Sequence, residues 1–170
     1  GPEMKSTGEV MGIDVEFASA LFKAMVASGL GLAREGSVLL SLADQNKAEG
    51  VEIANSFARL GYSLLATGGT ARYLREHGLE VETVSKIRSG NPSVIDAIRS
   101  GGIALVVNTV TGDRQILQDG FHMRRAAAES HVPCLTSVDT VRALASALTS
   151  GRSGYSVRPL TFYTNADRDA

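Results

Sequence analysis

From Ser37 onward, short apolar runs rich in β-branched residues alternate with segments whose apolar residues recur at helical spacing. The runs cover 38–42, 63–67, 79–85, 103–109 and 132–137, and they predict five strands. Strand–helix alternation favours a mainly parallel sheet, because right-handed crossovers place helices on both of its faces. The sequence therefore predicts a three-layer α/β domain with a five-stranded sheet.

Local signals mark where the predicted helices begin and end. Gly61, Gly78 and Gly101 stand where helix-ending residues belong, since glycine adopts the left-handed conformation without strain. Asn91 followed by proline predicts the start of the helix before the fourth strand. These signals support the alternation of strands and helices.

The chain divides into four predicted parts. Residues 1–12 carry neither a helical nor a strand period and look like the end of a unit that begins earlier. Residues 13–36 are expected to form a linker segment whose helix is capped by Asp14. Residues 37–150 form the predicted domain, and residues 151–170 are a tail that adds an edge strand or packs on the surface.

Composition excludes several classes of function. The 17 lysines and arginines against 18 aspartates and glutamates give a net charge of −1, which lacks the basic excess that nucleic-acid binding needs. No apolar run approaches the roughly 18–20 residues of a membrane span. The single cysteine, Cys134, excludes an internal disulfide, and three dispersed histidines form no metal-binding pattern. We expect a cytoplasmic chain without a metal.

Polar residues follow four of the predicted strands. Because the carboxyl ends of parallel strands share one edge of a sheet, ligands collect there. The residues are Asp44, Gln45, Asn46 and Lys47 after the first strand, Thr67, Gly68, Gly69 and Thr70 after the second, Ser85 and Lys86 after the third, and Asn108, Thr109, Val110, Thr111 and Gly112 after the fourth.

The Thr-Gly-Gly-Thr turn at residues 67–70 joins a predicted buried strand to a helix beginning near Thr70. Unpaired amides and the positive end of the helix dipole make such a turn suited to an anion. Gly68 and Gly69 let the backbone approach a phosphate closely. The alternative is a tight turn in which Thr70 is the N-cap.

Two lysines are candidates for the same anion. Lys47 opens a predicted helix, where a cation opposes the helix dipole, and Lys86 follows the third strand. A phosphate monoester carries about −1.5 to −2 charges, which two lysines and a helix N-terminus would balance. The alternative for each lysine is a solvated surface position. The sequence shows no nucleophile beside a base, so it indicates binding rather than turnover.

Other polar groups have simpler interpretations. Cys134 lies in a short apolar strand and is expected to be a small core residue. The charged stretch that includes Asp113 and Asp119 is expected to be a solvated face. Arg124 and Arg125 in that stretch are alternatively expected to serve an interface or the ligand mouth.

The chain resembles the carboxy-terminal region of the large subunit of carbamoyl-phosphate synthetase. Residues 1–12 resemble the close of its second ATP-grasp unit, and residues from about 37 to 148 resemble its allosteric domain of methylglyoxal-synthase-like fold. The motifs that carry the resemblance are LLSLADQNK (39–47), ATGGTARYL (66–74), VSKI (84–87), VVNTVTG (106–112) and RRAAAESHVPCLTS (124–137).

The resemblance implies a regulatory domain that binds nucleotide monophosphates such as the inhibitor UMP or the activator IMP. The parent enzyme is a glutamine-dependent ligase of pyrimidine and arginine biosynthesis that uses ATP and Mg, whereas this chain is expected to be non-catalytic and without a cofactor. Its partners would be the rest of the large subunit, the glutaminase small subunit and further copies of itself. The resemblance makes Lys47, Thr67, Thr70 and Lys86 phosphate or nucleotide contacts, with Ser41, Asn108 and Thr109 around the same mouth.

Departures from the family pattern leave other interpretations open. Val110 replaces a second hydroxyl residue, which leaves the effector preference open, and Cys134–Thr136 replaces a Tyr-Asp-Thr stretch, which predicts a weak or absent ornithine response. Methylglyoxal synthase uses an aspartate in an Asp-Pro turn where this chain has Asn108-Thr109-Val110, although Asp113 is nearby. Inosine-monophosphate cyclohydrolase has a basic segment with no counterpart after Lys86. A structural or oligomerising module with a vestigial pocket is the third alternative.

Overall fold

The chain forms two compact units, one made of residues 1–31 with 143–170 and the other of residues 32–142. Each is described by itself. The computed structural model describes residues 10–29, 32–33, 35–85, 93–109, 114–151 and 156–164.

A five-stranded sheet forms the centre of the unit 32–142. The strands are β1 (Ser37–Ser41), β2 (Ser63–Thr67), β3 (Glu82–Val84), β4 (Ile103–Asn108) and β5 (Cys134–Leu135). Their spatial order is β3-β2-β1-β4-β5, and every pairing is parallel. The predicted sheet is confirmed. Its third and fifth strands are shorter than the apolar runs from which they were predicted.

Seven helices lie within the described residues, and α2 to α5 connect successive strands. They are α1 (Phe17–Ala27), α2 (Lys47–Arg59), α3 (Gly68–Glu76), α4 (Val94–Arg99), α5 (Arg114–Glu129), α6 (Val138–Gly151) and α7 (Leu160–Thr164), with a 3-10 turn at Asp44–Asn46. Gly61, Gly78 and Gly101 follow α2, α3 and α4 with φ of +85°, +83° and +84°. The predicted helix ends are therefore confirmed.

The two faces of the sheet carry different helices. Helix α2 packs against β2, α3 packs against β1, β2 and β3, and α5 packs against β4 and β5. The α4 and α5 side is filled by Leu39 and Val106 from the sheet, Val94 and Ile98 from α4, and Met123 from α5. Burial of these apolar side chains is the main force that holds helices on a sheet.

The unit 1–31 with 143–170 is organised around Lys23 on α1. Its ammonium lies 2.7 Å from the Asp14 carboxylate and donates to the carbonyl of Ile13 and the hydroxyl of Tyr163. The prediction that Asp14 caps α1 is wrong, because Asp14 pairs with Lys23 and the N-cap residue is Glu16. Within residues 156–164 the tail forms α7 rather than an edge strand.

Helix α4 begins at Val94, and a reciprocal capping box precedes it. The Ser93 hydroxyl accepts from the Asp96 amide, and the Asp96 carboxylate accepts from the Ser93 amide. Asn91 and Pro92, which predicted an earlier start, lie outside the described residues. The Ser93 hydroxyl is the main cause that lowers the pKa of Asp96, followed by the Ser93 backbone amide.

Removal of the Ser93 hydroxyl is expected to lower stability in a pH-dependent way. Ser93→Ala should reduce the free energy of unfolding by about 1 kcal/mol at neutral pH. A carboxyl whose pKa is lowered by folding contributes stability above its unfolded pKa and loses it as pH falls through the folded pKa. The effect of Ser93→Ala should therefore shrink between about pH 5 and pH 2. Urea unfolding of the wild type and the variant at neutral pH and at about pH 2 measures this change in stability. Ser100→Ala, at the other end of α4, is the control.

Candidate functional site

Three polar side chains end three neighbouring strands on one face of the sheet. Ser41, Thr67 and Asn108 are the last residues of β1, β2 and β4. Residues two apart on a strand share a face, so these side chains extend the face whose apolar residues pack toward α4 and α5. Ser41 is paired with Asn108 in the ladder, and the Thr67 hydroxyl donates to that of Ser41 at 3.5 Å. The predicted convergence of strand ends is thus present.

A cavity of about 490 Å³ lies over this row. Its size suits a small organic ligand, since such sites span about 300–1,000 Å³. One wall is apolar, with Val94 from α4 and Met123 from α5, and the other is polar. The lining residues are Ser41, Leu42, Ala43, Asp44, Gln45, Lys47, Thr67, Gly69, Thr70, Val94, Asn108, Thr109, Asp119, Gly120 and Met123.

The first turn of α3 opens at the polar wall. The helix begins at Gly68, two residues before the position that the sequence predicted, because Thr67 already has the extended backbone of an N-cap. Thr67 makes no side-chain cap, and the first turn carries no acidic residue. The amides of Gly68, Gly69 and Thr70 therefore have no partner within the helix, and the positive end of its dipole is not neutralised locally.

Lys47 reaches the same turn from α2. A Cβ built on Gly69 would lie 3.5 Å from the Lys47 Nζ, so the ammonium stands directly over the start of α3. The Lys47 side chain is only 16% exposed and pairs at 2.6 Å with Asp44, whose side chain is 94% exposed. Lys47 is the first residue of α2, as predicted. Its proximity to the first turn of α3 gives a reason for a cation at the N-terminus of α2.

Asp44 holds the ammonium at the mouth of the cavity. The hydrogen bond from Lys47 is the first cause that lowers the pKa of Asp44. An exposed ion pair contributes only about 0–1 kcal/mol.

Thr70 and Thr109 fasten the loop that leads to Lys47. The Thr70 Oγ1 accepts from the Leu42 amide at 3.1 Å, and the Thr109 Oγ1 accepts from the Ala43 amide at 2.8 Å. Both threonines are almost fully buried. The alternative interpretation of Thr70 as an N-cap is wrong, because Thr67 is the N-cap residue and the Thr70 hydroxyl accepts from Leu42 in the loop after β1.

Loss of either buried hydroxyl is expected to destabilise the fold. Thr109→Val and Thr70→Val each leave a buried backbone amide without a partner, which costs about 1–3 kcal/mol. Thr67→Val is the matched control, because within the described part of the chain its hydroxyl has only the long contact to Ser41. Chemical denaturation of the three variants measures the difference. Equal stability of all three would contradict the fastening role.

Two predicted site residues, Lys86 and Thr111, lie outside the described residues. The structure reaches Ser85, which bridges to Ser93 beside the cavity-lining Val94. The sequence interpretation also missed cavity residues on α4 and α5, namely Val94, Gly120 and Met123. Val94 and Met123 show only the helical spacing of core residues in the sequence. Asp119 was assigned to a solvated face, although it lines the cavity.

A second, polar cavity of about 320 Å³ lies between α2 and the start of α6. Thr136 and Ser137 contribute hydroxyls to it. Its carboxylates, Glu49 and Asp139, both accept hydrogen bonds from Arg142, at 2.7 and 3.2 Å. One guanidinium therefore offsets part of their negative charge.

Cys134 packs against the apolar cluster beneath α4 and α5. Cys134 is only partly buried, so it lies at the margin of the core rather than within it, and this burial is the first cause that raises the pKa of its thiol. Among the described residues, no three histidine, cysteine, aspartate or glutamate side chains are grouped so as to hold a metal. None of the helices in the described ranges is both long and apolar enough to cross a bilayer.

Comparison with known proteins identifies the family. The family model described as MGS-like domain matches residues 49–136, more than half of the chain. The chain therefore belongs to the MGS-like domain family. It is 54% identical over 164 residues to the carbamoyl phosphate synthase large chain of Thermomicrobium roseum (strain ATCC 27502 / DSM 5159 / P-2), a match that covers 96% of this chain. The predicted resemblance is confirmed.

The matched region is a small part of that relative, since the chain spans 15% of its length. Among solved structures, the chain is similar to the crystal structure of ForH, with a TM-score of 0.55 and 25% identity. That match covers 69% of this chain and 81% of the other. The two chains therefore share a fold over the matched region.

Proposed function

We propose that this chain is a regulatory domain that binds a nucleotide monophosphate such as UMP or IMP. The observation that carries the proposal is the Lys47 ammonium above the first turn of α3 at the edge of the cavity. A helix N-terminus and a lysine together bind a phosphate through charge-assisted hydrogen bonds, each worth about 1.5–3 kcal/mol. Lys86 is proposed as the second cation.

The rest of the cavity suits a nucleoside. Val94 and Met123 offer an apolar surface to a base, and planar rings gain free energy when they leave water for such a surface. The Asp119 carboxylate lies in the same lining and accepts hydrogen bonds from hydroxyl groups, which a ribose supplies. Ser41 and Thr67 add hydroxyls near the phosphate end. The hydroxyl of Thr109 is occupied by Ala43, so we assign it a supporting role.

We infer that the binding domain acts within a cytoplasmic, glutamine-dependent carbamoyl-phosphate synthase of pyrimidine and arginine biosynthesis. The 54% identity with a synthase large chain supports this setting. ATP and Mg would be used by the remainder of such a large subunit, and a glutaminase subunit and further copies would be partners. Allostery couples two sites, so this domain would supply the effector site only. The ornithine response is expected to be weak or absent, because Cys134–Thr136 stands where the family has a Tyr-Asp-Thr stretch.

Thermal unfolding with added ligand tests the proposal. Ligand at about 100 times its Kd adds about 2.7 kcal/mol, which should raise Tm by roughly 5–10 °C for a chain of this size. UMP and IMP should produce the shift, and uridine, which lacks the phosphate, should not. No shift with either monophosphate at millimolar concentration would favour a structural module with a vestigial pocket. Methylglyoxal formed from dihydroxyacetone phosphate would instead favour a lyase.

A further inference from the structure

Arg124 on α5 determines how Asn108 faces the cavity. Asn108 is 4% exposed and lies in the cavity lining. The Arg124 Nη1 donates to the Asn108 Oδ1 at 2.7 Å. A guanidinium has only donors, so the atom that faces it must be the amide oxygen. The Asn108 Nδ2 therefore lies on the other side of the amide, away from Arg124.

Gly120 makes this hydrogen bond possible. It lies one helical turn before Arg124, and a Cβ built there would be 2.8 Å from the Arg124 Nη1 and 2.9 Å from the Asn108 Oδ1. The hydrogen bond between Arg124 and Asn108 therefore passes next to the Cα of Gly120, in space that a Cβ would fill. Glycine inside a helix costs about 1 kcal/mol of stability relative to alanine. The close approach of Arg124 and Asn108 is a physical reason why glycine stands at position 120 despite that cost.

We propose that Arg124 is a positioning residue that makes Asn108 a hydrogen-bond donor to the ligand. The inference rests on the proposed function and adds a specificity rule to it. Arg124 takes up one lone pair of the Asn108 Oδ1 and fixes the amide so that the Nδ2, with its two hydrogens, is the group directed away from Arg124. The ligand group beside Asn108 is therefore an acceptor, such as an oxygen of an anionic nucleotide, and a ligand that presents a donor there is rejected because its donor would face another.

Asn108→Asp tests the donor role with almost no change in shape. The new carboxylate keeps one oxygen on Arg124 and turns its second oxygen, rather than an amide, toward the ligand. We expect the Tm of the free protein to be unchanged or higher, while the affinity for UMP measured by calorimetry falls at least tenfold. If Asn108 served only the fold, a variant with unchanged Tm would also bind UMP with unchanged affinity. Retained affinity in this variant would overturn the proposal.

Variants of Arg124 test the positioning role. Glutamine presents either a donor or an acceptor, so Arg124→Gln leaves the Asn108 amide free to turn over, and the UMP affinity should fall about tenfold. Arg124→Lys keeps a donor and should restore most of the loss. Arg125→Gln is the matched control, because its partner is Glu129 on the exposed surface. Equal affinities for Arg124→Gln and Arg125→Gln would overturn the positioning role.

A ligand-free measurement separates this inference from the proposed function. Asn108→Asp should be tolerated when Arg124 is present and should lower Tm in the Arg124→Gln background, because the carboxylate then loses its partner. Equal changes in Tm in the two backgrounds would overturn the inference even if the wild type binds UMP. A wild type that binds no monophosphate would instead refute the proposed function, and this thermal comparison would still decide how Asn108 is oriented.

Discussion

Gly69→Asp is expected to stabilise the folded chain and to abolish binding of nucleotide monophosphates. A side chain at this position has room, since the nearest atom to its Cβ is the Lys47 Nζ at 3.5 Å. A carboxylate in the first turn of α3 is favoured by the helix dipole by about 0.3–1 kcal/mol. The same carboxylate would pair with Lys47 and place a negative charge where the phosphate is proposed to bind.

Calorimetry with UMP and thermal unfolding without it measure the two effects. Gly69→Asp should lose more than about a hundredfold in affinity, because a phosphate would lose a charge-assisted hydrogen bond and meet a like charge. Gly69→Ala is the control, since it adds the Cβ without the charge, and its affinity should change only a few-fold. An aspartate variant that binds UMP like the wild type would mean that the phosphate lies elsewhere.

Lys47→Met is expected to weaken UMP binding by roughly ten- to a hundredfold, the loss of one hydrogen bond from a charged donor. The folded state should hardly change. The lost ion pair with Asp44 is exposed on the aspartate side and is worth about 0–1 kcal/mol. Removal of a cation from the N-terminus of α2 stabilises the helix by a similar free energy, because the positive charge no longer opposes the helix dipole.

Arg59→Met provides the control for Lys47→Met. Arg59 is exposed in the last turn of the same helix, so its loss removes an equal charge at the opposite end of α2. Its UMP affinity should equal that of the wild type at physiological salt, because the charge is screened over a Debye length of about 8 Å. If both variants lose affinity alike, the effect is one of net charge and not of the site.

The five strands and the polar strand ends were predictable because they depend on local patterns. Apolar runs and helical spacing predicted all five strands. The shared carboxyl edge of a parallel sheet predicted that Lys47, Thr67 and Asn108 would lie near one another, and the family resemblance added Ser41. Lys47 was also predictable, because a lysine at a helix start opposes the dipole. Lys86 and Thr111 stay predictions, since they lie outside the described residues.

The parts that the sequence did not reveal depend on contacts between distant residues. Nothing local shows that the hydroxyls of Thr70 and Thr109 bond to the loop after β1, since a threonine at a strand end suits a ligand equally well. The start of α3 was misplaced because glycine is a poor helix former, yet Gly68 and Gly69 lie inside the first turn. The approach of Arg124 to Asn108 across Gly120 joins a helix and a strand and has no sequence signature.

The most direct test of the phosphate site is a crystal structure of the chain with UMP bound. We expect the phosphate within hydrogen-bond distance of the Lys47 Nζ and of the amides at the start of α3, with Lys86 on the same group and the base against Val94 and Met123. A phosphate bound away from Lys47, or Lys86 directed to the opposite side of the domain, would contradict the proposed site.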